Sequence, residues 1–153
     1  MFNTLVRSAL VCGLLATASI VAAGAQSGAP AATQAGDVAL GGYCPVAYVA
    51  MNQAMKGDPS QKSTYKGKTY HFANADAKKM FDAAPDKYVP AYDGWCATAV
   101  AQNMKLASDP ALFTIHNGRA YLFSDAGAKA MFDKDKTGTI AKADRAWTTL
   151  ASK

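Results

Sequence analysis

From Gly67 onward polar and apolar side chains alternate, with Tyr70 and Phe72 on one face and His71 on the other, and the alternation returns after Gly118 with Tyr121 and Phe123. A period of two marks a strand with one buried face. A short helix is expected after each strand, returning Met80-Phe81 and Met131-Phe132 to the core. Asn74 and Ser124 suit the N-cap positions, and Asp76 and Asp125 suit the first turns, where a carboxylate complements the helix dipole. The two segments, 67–82 and 118–133, are one pattern written twice at an offset of 51 residues, with nine of sixteen positions identical.

The segments before these turns, residues 62–65 and 112–116, should pair back as hairpins through Lys66-Gly67 and Asn117-Gly118, the second a strong two-residue hairpin signal. Pro85 opens a helical turn through Tyr88, Pro90 and Gly94 interrupt the next stretch, and the unbroken small-residue run 95–104 reads as a helix. A last helix over 140–150 places Ile140, Ala143, Trp147 and Leu150 on one stripe. The expected fold is α+β: a small single domain of two β-hairpin-plus-helix units with additional helices packed on one side.

The amino end has a different character. Arg7, an apolar stretch over 9–23 and the small residues Ala23-Gly24-Ala25 read as a secretory signal over residues 1–25, implying export to the periplasm or beyond. The apolar run falls short of the ~20 residues that span a bilayer, so no stable membrane anchor is expected after cleavage. Residues 26–38 are mostly small and polar and read as a flexible leader, leaving 39–153 as the domain. Loss of the signal leaves 153 − 25 = 128 residues and lowers the formal charge from +5 to +4 as Arg7 departs. The lysines are scattered, which argues against nucleic-acid binding. All eleven acidic residues are aspartates at caps, turns and helix surfaces. With no Ser-His-Asp order and no phosphate-cradling glycine loop, the pattern leans away from an enzyme and names no protein partner.

Two cysteines remain after the signal, in Gly42-Tyr43-Cys44-Pro45 and Asp93-Gly94-Trp95-Cys96-Ala97. A thiolate pair suits soft Cu(I), and in an oxidising compartment the same pair suits a structural disulfide. Both readings stand on the sequence alone. A thiol-disulfide oxidoreductase is a poorer match, because the C-x-x-C spacing is missing. Met51, Met55 and Met104 lie near the cysteines in sequence, but methionine commonly fills core gaps. His71 is a candidate third ligand; His116 is a weaker one.

These residues resemble the YHS-domain family in its longer exported form. The resemblance rests on Gly42-Tyr43-Cys44-Pro45-Val46-Ala47-Tyr48, the strand and helix over 65–81, and the run from Pro85 to Ala97, with Asp109-Pro110 and residues 117–123 extending it. It covers nearly all of 39–153 and implies a small domain linked to heavy-metal handling, often copper. Metal-associated members carry Tyr-x-Phe-Cys in the strand, where this chain has Ala73 after Phe72. Longer members usually carry aspartate at the place of Cys44.

Residues 133–144 offer calcium as an alternative cofactor. Asp133, Asp135 and Thr137 fall at the first, third and fifth places of a calcium loop, Gly138 at its turn and Ile140 at its apolar eighth place. Asp144 stands where the loop would carry a bidentate glutamate. Tyr43, Tyr48, Tyr88, Tyr92 and Trp95 surround the cysteine motifs as core or as a pocket lining.

Overall fold

The computed structural model describes residues 38–153. The expected signal and all of the expected leader except Val38 lie outside the described residues. Val38 forms an isolated parallel bridge with Thr69.

Two separate antiparallel hairpins pair β1 (Asp58–Tyr65) with β2 (Lys68–Phe72) and β3 (Asp109–His116) with β4 (Arg119–Phe123). Lys66, Gly67, Asn117 and Gly118 all have positive φ, the mirror-image turn geometry that matches strand twist. Both hairpins begin earlier than the alternation suggests, at an Asp-Pro step. Asp58 accepts a hydrogen bond from the Ser60 N–H at 2.8 Å, and Asp109 accepts one from Ala111 N–H at 2.9 Å. The register then slips, between Asp58 and Lys62 and between Asp109 and Phe113, which breaks the period of two that sequence reading depends on.

Among the described residues six α-helices complete the α+β fold: α1 (Pro45–Met51), α2 (Ala75–Ala83), α3 (Pro85–Tyr88), α4 (Ala97–Val100), α5 (Ala126–Lys134) and α6 (Lys136–Leu150). Asn74 caps α2, accepting from Ala77 N–H at 2.8 Å. The cap of α5 is Asp125, which accepts from Ala128 N–H at 2.8 Å. Ser124 does not take that role, because the offset of 51 pairs Asp125 with Asn74 and Ser124 with Ala73. The run expected as a helix over 95–104 is helical only over Ala97–Val100 and ends in turns before Met104.

Phe81 closes the first unit, 5.0 Å from Tyr70 and 4.9 Å from Phe72, centroid to centroid. Phe132 does the same in the second, 5.0 Å from both Tyr121 and Phe123. The buried residues form two core clusters, one around each aromatic trio, with Ala120 and Leu122 of β4 joining the first. α6 packs its buried Ala143 and Leu150 onto the second cluster and sets Trp147 5.8 Å from Tyr92.

The duplication reaches further back than the sequence repeat. A 3-10 turn at Ala39–Gly42 precedes Tyr43, Cys44 and α1, and a matching turn at Ala91–Gly94 precedes Trp95, Cys96 and α4. Each turn holds three consecutive residues of positive φ, Leu40, Gly41 and Gly42 in the first, Tyr92, Asp93 and Gly94 in the second. The Cys44 N–H bonds to the Met55 carbonyl at 2.8 Å and the Cys96 N–H to the Leu106 carbonyl at 3.0 Å. The offset is 96 − 44 = 52 at the cysteines and 122 − 71 = 51 in the hairpins, a one-residue change that hides the longer repeat. The units are tied together by the buried Tyr48 hydroxyl, which donates to the Pro110 carbonyl at 2.6 Å. Gly94 sits at their junction with φ +85°, where a Cβ would stand 2.8 Å from Leu40 Cδ2.

Candidate functional site

Cys44 and Cys96 occupy one structural position in two repeated units. Each precedes a helix, each is buried, and each belongs to a different core cluster. Both thiols are free, so the disulfide that the sequence allowed is not formed. Duplication explains this: the matching motifs mark equivalent places, one in each half. Among the described residues no three His, Cys, Asp or Glu side chains converge as a metal group, so Cys44, Cys96 and His71 are not gathered into one. His71 is half-buried beside the first 3-10 turn, where a methyl group on Gly42 would stand 3.4 Å from its Nδ1. His116 ends β3, paired with Arg119.

The two cysteines differ in their surroundings. Cys44 packs in the cluster of Tyr48, Phe72 and Phe81. Burial pushes the Tyr48 phenol well above the usual tyrosine range, so it stays protonated as the donor to Pro110. Cys96, in contrast, lines a groove of about 320 Å³ together with Met104, Leu106, Ser124, Asp125 and Met131. A second concavity of about 280 Å³, walled by Asp135, Thr139 and Lys142, shares Met131 with the first.

Three sulfur-bearing residues therefore border one groove, Met104 and Met131 from its exposed walls and Cys96, 1% exposed, from beneath its floor. Met104 and Met131 are 51% and 59% exposed, which removes the ordinary role of methionine as a core filler for both. Met51 and Met80, on α1 and α2, are also exposed. Helical spacing offered a signal for Met131. Adjacent helix residues point about 100° apart, so Met131 and Phe132 cannot both face the hairpin, and the larger aromatic takes the core.

Ser124 joins the thiol to a carboxylate. Its hydroxyl lies 3.5 Å from Cys96 Sγ and 2.8 Å from Asp125 Oδ2. The Ala128 N–H and the Ser124 hydroxyl hold the Asp125 carboxyl below the usual carboxylate range, keeping it a strong acceptor at neutral pH. Ala73 and Asn74 stand at the corresponding places in the first unit.

The segment 133–144 does not wrap as a calcium loop. Lys136–Leu150 is one helix, and Asp135 caps it by accepting from Gly138 N–H at 2.9 Å. Asp133 is engaged by Lys129, Lys136 and the Thr114 hydroxyl, and Asp144 accepts from the Tyr92 hydroxyl at 2.9 Å. The carboxylates that would face an ion are divided among the end of α5, the N-cap of α6 and the body of α6, and each is engaged by another partner. Of the aromatic residues near the cysteine motifs, Tyr48, Tyr88 and Tyr92 are core. The half-buried Trp95 and Trp147 flank the Lys105 ammonium, with ring centroids 5.7 and 5.6 Å away.

Comparison with family models, curated proteins and solved structures finds no match to this chain. No described helix is long and apolar enough to cross a membrane.

Proposed function

We propose that this chain is an exported binding module that takes up one soft metal ion, Cu(I), at the groove formed by Cys96, Met104 and Met131. The observation that carries the reading is that a free thiol and two exposed thioethers line the same open groove. Cu(I) favours sulfur donors and accepts two or three of them. One thiolate balances its single charge, and two neutral thioethers complete the set without adding any. Zn²⁺ and Ca²⁺ fit poorly, because zinc seeks more thiolate or imidazole donors and calcium seeks a cage of oxygens. Export is supported by the signal-like residues 1–25. The YHS resemblance, with its link to copper, agrees with this reading. The cysteine missing after Phe72 is not required by it.

Anaerobic titration with Cu(I) against a competing chelator tests the reading. One equivalent should bind, and Met104→Leu and Met131→Leu, which keep volume and remove the thioether, should each weaken uptake by about tenfold or more. Failure of the wild-type chain to take Cu(I) from the chelator would overturn the proposal, as would wild-type affinity in both leucine variants.

A further inference from the structure

The repeat presents the same cysteine position twice, and the two copies differ in the residues that come directly after β2 and β4. After Phe72 come Ala73 and Asn74; after Phe123 come Ser124 and Asp125. Asn74 and Asp125 do the same structural work, each capping its helix through a backbone N–H at 2.8 Å. The cap therefore does not explain why the second unit carries a carboxylate. Ser124 makes no backbone cap either. Its hydroxyl reaches only Asp125 Oδ2 and Cys96 Sγ among the hydrogen bonds of this junction.

We infer that Ser124 is the positioning residue for the Cys96 sulfur, and that Asp125 in turn fixes Ser124, so that this pair sets Cys96 apart from Cys44. The inference rests on the Cu(I) reading of the groove. Asp125 is anchored at one oxygen by Ala128 N–H and holds the Ser124 hydroxyl with the other. The hydroxyl has one proton, which serves Asp125 while Cys96 is a thiol and turns to the sulfur when the thiolate takes up metal, the kind of outer contact that orients a metal ligand and tunes its donor strength. Cys44 has Ala73 and Asn74 at these places, so its sulfur has no matching support.

The first unit also shows that the tests fold. Ser124→Ala and Asp125→Asn install residues that the same strand-to-helix junction already carries at 73 and 74, and asparagine caps a helix about as well as aspartate. Ser124→Ala should weaken Cu(I) binding by about tenfold to a hundredfold and shift the ultraviolet absorption of the Cu(I)–thiolate complex. Thermal unfolding of the metal-free chain should barely move. Asp125→Asn should give a smaller loss of affinity, and Ser124→Thr, which keeps the hydroxyl, should restore both affinity and absorption. Wild-type affinity and absorption in Ser124→Ala, with the wild-type chain binding Cu(I) normally, would overturn the positioning role alone. No binding by the wild-type chain would overturn the positioning role together with the metal reading.

Discussion

Replacing Cys96 with serine should lower Cu(I) affinity by more than about a hundredfold, since loss of a direct ligand exceeds the ten- to hundredfold effect of losing an outer-shell partner. Among the described residues Cys96 is the only thiol lining the groove, and a serine hydroxyl is a poor, hard donor for a soft ion. Cys44→Ala should leave affinity unchanged, because Cys44 packs with Tyr48, Phe72 and Phe81 in the other core cluster. Competition titration of both variants separates one site from a shared pair. An equal loss in both would mean that the two cysteines cooperate after all.

Phe132→Ala should destabilise the fold by about 3–5 kcal/mol, a large part of the total for a domain of this size. Phe132 is fully buried and holds α5 on the second hairpin through Tyr121 and Phe123. Deleting the ring removes that contact and leaves a cavity behind the helix that carries Met131. Equilibrium denaturation in urea measures the change. A cost under about 1 kcal/mol would show that the helix is held by other contacts.

The hairpins and the short helices after them were legible because Tyr70, Phe72, Tyr121 and Phe123 alternate cleanly and lead into Met-Phe pairs. α1 was not. Pro45-Val46-Ala47-Tyr48-Val49 is too short and too rich in β-branched residues to announce a helix, and it forms because proline suits the first turn and Val46, Ala47 and Tyr48 are buried. The start of α6 was hidden for a related reason: Asp133, Asp135 and Gly138 spell a calcium loop when read by spacing, while the chain uses Asp135 as an N-cap. The cysteines show how far pattern reading reaches. Ala-x-x-Gly-aromatic-Cys occurs at 39–44 and again at 91–96, so their equivalence was written in the sequence. Which of the two opens on a groove depends on long-range packing, which no local pattern reports.

Methionine is the more telling case. Its hydropathy assigns it to the core, yet Met51, Met80, Met104 and Met131 are all substantially exposed. Of these four, Met104 and Met131 line the groove with Cys96, where exposed thioethers are available to a soft ion.

The most direct measurement is therefore the methyl spectrum of selectively labelled methionines during addition of Cu(I). The Met104 and Met131 methyl resonances should move and reach a plateau at one equivalent, while those of Met51, Met55 and Met80 stay in place. Binding that leaves Met104 and Met131 unmoved, or that shifts Met51 and Met80 instead, would contradict the account.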